Sequence, residues 1–229
     1  WTPGENWYTG EVIERMENFS DECGKPSIHF FGHTHGYSRG QSQDHNHLWV
    51  NVATAGGAID HWGEYPQADY DEFTISQDEW GFVVVDIEAG DNPQFILKRI
   101  SRGNEDIYRD NEIRDEITIR FNNNVPIQPL GISPSGQLEN PDFLILSASD
   151  FIDTDLDQPM AAQWEVYQDC NLSDSPIINE FVNMQNWYYN ENTQENVELT
   201  EINISGLSGN SSYCWRVRYR DTSLGWSDW

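Results

Sequence analysis

The chain has 229 residues and a formal net charge of −27, from 39 acidic against 12 basic side chains. Such an excess repels nucleic acid and anionic lipid and favours a soluble protein, in surroundings salty enough to screen its acids. No apolar run approaches the roughly 20 residues of a membrane-spanning helix, and the length suits about two domains.

Taken in chain order, Val12, Ile13, Met16 and Phe19 repeat at helical spacing. They predict a short helix capped by Thr9 and ended by Gly24 and Pro26. Ser27 to Phe31 reads as a buried strand, and it runs straight into Gly32-His33-Thr34-His35-Gly36-Tyr37-Ser38-Arg39. Gln41 to Asn46 reads as a polar loop that leaves His45 and His47 solvated. Leu48 to Thr54 forms a second strand, ending in the glycine turn Ala55-Gly56-Gly57-Ala58, and His61 follows it. Gly81 to Ile87 and Gln94 to Ile100 read as a further pair of strands.

The two imidazoles of His33 and His35 are the strongest chemical signal, because an extended segment places residues i and i+2 on one face while a loop splays them toward two adjacent ions. All six histidines (His29, His33, His35, His45, His47, His61) lie in the first 61 residues, which confines candidate metal chemistry to the N-terminal quarter. A cupin-like site would place a Glu shortly after the second histidine, where Arg39 and Gly40 stand. A metallo-β-lactamase-like site would continue with Asp-His, where Tyr37-Ser38 stand, and an amidohydrolase-like barrel would need repeated strand and helix units.

Gly32-His33-Thr34-His35-Gly36-Tyr37 closely resembles the last metal motif of the calcineurin-like metallophosphoesterases, above all the purple acid phosphatase branch. The resemblance covers residues 27–100 by pattern, and the His-x-His segment is its specific part. It implies that His33 binds one metal and His35 the other in a site of two divalent or mixed-valence ions (Fe, Zn or Mn), which activates water against a phosphoester substrate. The Gly-rich segment after Thr54 is similar to one in the same branch, so Gly56, Gly57 and His61 are expected to shape the substrate pocket. The family's Asp-x-His, Gly-Asp-x-x-Asp and Gly-Asn-His motifs do not precede His33 here. Trp1-Thr2-Pro3-Gly4 resembles the linker after the penultimate metal histidine, so the chain is expected to be a fragment, inactive alone.

The acidic run from Asn104 to Glu116, followed by Asn122-Asn123-Asn124 and by Pro126, Pro129 and Pro134, reads as a solvated linker. The expected organisation is therefore an α/β mixed metallophosphoesterase portion at 1–105, a linker or domain edge at 106–136, and a β-sandwich at 137–229. The sandwich strands are expected at Phe143 to Ala148, Ala161 to Gln168, Ile177 to Val182, Val197 to Ser205 and Ser212 to Arg220.

Leu207 and Tyr213 resemble the tyrosine corner of fibronectin type III modules, and Trp226-Ser227-Asp228-Trp229 with the alternating Arg216, Arg218 and Arg220 resembles the ending of cytokine-receptor modules of that type. The ending reads as a structural stack of guanidinium on indole. Asp153, Asp155 and Asp157 raise calcium, but an EF-hand loop would need Gly and Glu where Gln158 and Trp164 stand.

Cys170 and Cys214 are the plausible disulfide pair of an oxidising compartment, provided a bulge corrects their opposite strand parity; Cys23 reads as a free thiol. Together with the phosphoesterase resemblance this implies a secreted or cell-surface hydrolase, with polysaccharide or cell-surface contact expected through the sandwich. The alternative is a non-catalytic adhesion or carbohydrate-binding module with a vestigial histidine pair, for which the rings of Trp187, Tyr188 and Tyr189 are the sequence feature.

Overall fold

The computed structural model describes residues 7–61, 73–136, 139–184, 187–188, 191–192 and 197–229. These form one helix, α1 (Trp7–Cys23), and the strands β1 (Ser27–Phe31), β2 (Tyr37–Gln41), β3 (His47–Val52), β4 (Phe73–Gln77), β5 (Trp80–Glu88), β6 (Gln94–Gly103) and β7 (Tyr108–Arg120). The later strands are β8 (Gly131–Ser133), β9 (Leu144–Ala148), β10 (Pro159–Gln168), β11 (Ile178–Asn183), β12 (Trp187–Tyr188), β13 (Glu191–Asn192), β14 (Glu201–Ile204) and β15 (Tyr213–Asp221). Two compact units result: Trp1–Asn123 with Gln185–Thr193, and Asn124–Met184 with Gln194–Trp229.

The described residues are thus mostly β-sheet, and the α/β expectation for the first unit comes down to a single helix. Thr9 lies inside α1 and does not precede it. Of the expected apolar stripe only Ile13 is buried, whereas Val12 and Phe19 face solvent. The helix packs on β1 and β3.

One sheet of the first unit has the order β1-β3-β2-β4-β12-β13 and the other the order β5-β6-β7. β1 and β3 run parallel, Ser27 opposite His47 and Phe31 opposite Asn51, while β2 lies antiparallel between β3 and β4. The polar sequence Tyr-Ser-Arg-Gly-Gln therefore occupies an interior strand, with Tyr37, Arg39 and Gln41 buried.

The acidic stretch expected to be a linker is the long strand β7, paired antiparallel to β6 from Gln94↔Arg120 onward. Charge hides its alternation: Asp115, Ile117 and Ile119 are buried, and Glu116 between them is exposed. The turn into it depends on Gly103, whose φ is +83° and whose absent Cβ would lie 1.7 Å from the Ile107 carbonyl oxygen.

In the second unit, sheets β14-β9-β8 and β11-β10-β15 enclose a core of Leu146, Ala148, Ala162, Trp164, Val166, Leu199, Ile204, Val217 and Tyr219. Alternate residues of β10 and β15 face this core, as period 2 requires. A disulfide joins Cys170 to Cys214. The parity mismatch is resolved just past β10, where Asp169 and Cys170 adopt φ of +54° and +58° and turn the chain out of strand alternation. Among the described residues, no helix is long and apolar enough to cross a membrane.

Candidate functional site: the His33–His35 loop

β1 and β3, being parallel, deliver their carboxyl ends to the same edge of the sheet. The His-x-His loop leaves one and the glycine turn leaves the other. Loops at the carboxyl ends of parallel strands are where open sheets commonly place ligands. The two strand ends come close, because a Cβ at Gly32 would sit 3.1 Å from the Cβ of Ala53.

The loop backbone is fixed at several points. The buried Asn51 side chain donates through Nδ2 to the Thr34 carbonyl at 2.9 Å, and the Gly36 amide donates to the same oxygen at 2.9 Å. The His35 amide donates to Asp60 Oδ2 at 2.8 Å, and the Asp60 amide returns a bond to the His35 carbonyl at 3.2 Å. His33 takes a φ of +146°, a conformation that L residues rarely adopt and that the surrounding bonds must hold.

With the backbone fixed, both imidazoles remain exposed. His35 lies against Gly57, where a Cβ would touch its ring at 3.5 Å, and its Nδ1 is 4.0 Å from Asp60 Oδ1. The Gly57 carbonyl is itself held by the Trp80 indole N–H at 2.8 Å. His61 Nδ1 lies 3.8 Å from Asp78 Oδ2 of a buried carboxylate, and Gly56 sits exposed at a φ of +132°. The fold therefore brings His35 and Gly57 into contact, and sets His61 on Asp78.

Asp60 and Asp78 were not singled out in the sequence. The available signal for Asp60 was its place directly before His61 in the loop that returns to the motif.

No family model, curated protein or solved structure matches this chain.

The remaining histidines serve the scaffold. His45 pairs with Asp21 Oδ2 at 2.8 Å. His47, expected in a solvated loop, is instead the first residue of β3 and only 1% exposed, because β1 pairs alongside and seats it against Ser27. Its Nδ1 lies 2.6 Å from Ser27 Oγ, and its ring meets Trp49 edge-on at 4.4 Å. Burial, with the charges of His29 and His45 adding to it, lowers its pKa to about 4.

Behind the loop, β2 begins at Tyr37, whose hydroxyl donates to Asp115 Oδ2 of β7 at 2.7 Å. Arg39 binds the same carboxylate, and the Arg99 guanidinium lies 5.0 Å from the Tyr37 ring centroid. Burial raises the Tyr37 pKa well above its usual value, reinforced by the Asp115 charge. Burial opposes the charge on Arg39, but Asp115 more than reverses this and holds it cationic. Glu79 is also fully buried, taking hydrogen bonds from Ser101 Oγ at 2.6 Å and Arg109 Nε at 2.8 Å.

As a donor set, two exposed imidazoles suit a borderline divalent ion. They are fewer than two ions need, and among the described residues no three His, Cys, Asp or Glu side chains form a metal-holding group.

Proposed function

We infer that this chain is part of a metal-dependent phosphoesterase, secreted, with a fibronectin type III-like sandwich attached. The observation that carries the reading is the His33–His35 loop, clamped by Asn51 and Asp60 at the carboxyl ends of two parallel strands with both imidazoles left to solvent. His33 and His35 each hold one of two divalent or mixed-valence metal ions in this reading, and the remaining ligands come from outside the described residues. Bound metal supplies water activation and charge neutralisation at the phosphorus centre. The chain's own part is to orient: Asp60 fixes the His35 backbone, Gly57 leaves room for its ring, and Gly56 and His61 border the approach for a phosphoester.

The accessory reading rests on Tyr213. Its hydroxyl accepts from the Ser208 amide at 2.9 Å and donates to the Ser208 carbonyl at 3.1 Å, the hydrogen-bond pattern of a tyrosine corner. The Cys170–Cys214 disulfide supports an oxidising compartment. Tyr189 and the side chains of Trp187 and Tyr188, which the adhesion alternative draws on, lie outside the described residues.

The test is metal content and hydrolysis of aryl phosphate mono- and diesters by the intact protein that contains this chain, against His33→Ala and His35→Ala. Bound metal with hydrolysis, both lost in the variants, is the expected result. A folded intact protein without metal or hydrolysis would leave the adhesion or carbohydrate-binding module as the better reading.

A further inference from the structure

We propose that the first unit binds a single-chain anionic amphiphile, a saturated fatty acid, in an apolar cavity at the end of β1 opposite the histidine loop. β1 delivers the histidines at its carboxyl end, whereas Pro26 and Ile28 at its amino end border a cavity of about 390 Å³. Ile87, Phe95 and Ile119, one cross-strand row of β5, β6 and β7, line it from the other sheet. Both the volume and the apolar wall are those of small-molecule sites.

The row passes from core to surface. Ile119 is fully buried, whereas Ile87 on the same face of the sheet is 79% exposed, and Phe121, two residues beyond Ile119, is 43% exposed. Apolar side chains therefore continue from the interior to the mouth, a path along which an alkyl chain leaves water at every methylene. The polar side chains of the wall, Glu88 and Gln94, bond each other at 3.0 Å.

The head group follows from Lys25, one of two lysines in a chain with 39 acidic side chains. The other, Lys98, is paired with Asp86 at 3.3 Å. Among the described residues Lys25 meets no carboxylate within ion-pair distance, and its ammonium lies 6.0 Å from the centroid of the Phe121 ring at the mouth. A cation at the open end of an apolar cavity complements a chain with one anionic end. At roughly 30 Å³ per carbon, the share of one water molecule in the liquid, a chain of about a dozen carbons fills the space. The acidic surface repels an anion at long range, so the chain supplies most of the affinity and the head the orientation.

The experiment titrates hexanoate, octanoate, decanoate and dodecanoate, below their micellar concentrations, into the intact protein that contains this chain. Calorimetry is the readout, and decanol is the uncharged control. One saturable site is expected, its Kd falling about fourfold per added methylene, with decanoate preferred to decanol. Lys25→Met keeps the apolar stem and removes the ammonium, so it should abolish that preference and leave decanol binding unchanged. Ile87→Trp, at an exposed position of the mouth, should weaken acid and alcohol alike by about tenfold or more. The double variant His33→Ala/His35→Ala should bind decanoate as the parent does, which separates this site from the metal reading. No saturable binding, a Kd indifferent to chain length, a decanoate preference that survives Lys25→Met, or binding not weakened by Ile87→Trp would each overturn the proposal. Loss of binding in the folded histidine variant would overturn it too, by moving the amphiphile to the histidine loop.

Discussion

The Arg39 guanidinium grips both carboxylate oxygens of Asp115, Nε to Oδ2 at 2.5 Å and Nη2 to Oδ1 at 2.9 Å, with side-chain exposures of only 8% and 3%. The pair joins β2, which begins where the histidine loop ends, to β7 of the facing sheet. Tyr37 completes it from the same strand.

Breaking this pair from one side leaves a charge buried and unmatched. Asp115→Asn is expected to destabilise the first unit by about 3–5 kcal/mol, measured by denaturant unfolding. Replacing the whole group with apolar residues, Arg39→Met and Asp115→Leu together with Tyr37→Phe so that no buried hydroxyl is orphaned, should recover most of that loss, because desolvation of both ions is then avoided. A single variant that unfolds like the parent would show that the contact does not hold the sheets.

Much of this architecture was legible where the pattern was apolar. Ser27 to Phe31 is a strand with the expected bounds, although it is half-buried with Phe30 exposed and not buried as expected, and the strands around Val83, Leu97, Leu146, Trp164 and Val217 lie where the apolar pattern placed them. What escaped was the polar strand. Tyr37–Gln41 and Tyr108–Arg120 carry charge at inward positions, and Arg39 and Asp115 look solvated until each is seen to neutralise the other. The same blindness put His47 in a loop. Its burial depends on β1 pairing parallel alongside, a tertiary fact with no local signature. The disulfide depended on two left-handed residues, Asp169 and Cys170, neither a glycine that would have advertised the turn. At the site, the two histidines were legible by spacing, whereas Asp60 joins them only through a fold of the backbone 25 residues later.

His47 should make the first unit acid-sensitive. Its folded pKa of about 4 lies below the ordinary value of about 6.5 that it regains on unfolding. Between those values the unfolded chain binds a proton that the folded chain refuses, so stability falls as pH drops through the interval. The full loss is about 3 kcal/mol, from ~1.36 kcal/mol per pH unit. Burial lowers the pKa of His29 too, which adds in the same direction. Denaturant unfolding from neutral pH to about pH 4 should show a flatter decline in His47→Gln than in the parent, and identical slopes would rule His47 out as the sensor.

The disulfide closes a separation of 44 residues in the second unit. Chain-entropy arguments put its contribution at about 4 kcal/mol for a loop of that size. Reduction, or Cys170→Ser with Cys214→Ser, should lower the melting temperature of the second unit and leave that of the first unchanged. Scanning calorimetry with and without reductant tests this, and a transition insensitive to reductant would contradict it.

On the last strand, Arg218 is stacked between two indoles, 4.3 Å from the Trp226 ring and 4.6 Å from Trp229. Arg216 lies 4.1 Å over Trp229 and Arg220 5.3 Å over Trp226, so cations and rings alternate along the strand. Both Nε and Nη2 of Arg218 also donate to Gln163 Oε1, at 2.9 and 2.6 Å. Each guanidinium thus meets an aromatic ring and a hydrogen-bond acceptor within the unit, which is why the ladder reads as bracing for the end of the sandwich. Lysine keeps the charge but loses the planar face and the fork of donors. Arg218→Lys should therefore cost about 1–2 kcal/mol in denaturant unfolding of the second unit. Trp226→Ala should cost more, since it strips the stack from Arg218 and Arg220 and removes the edge contact with Phe181 at 6.0 Å. The double variant should lose less than the sum of the two, because both act on one stack. Strict additivity would mean that Arg218 and Trp226 contribute independently and that the alternation is geometry without coupling.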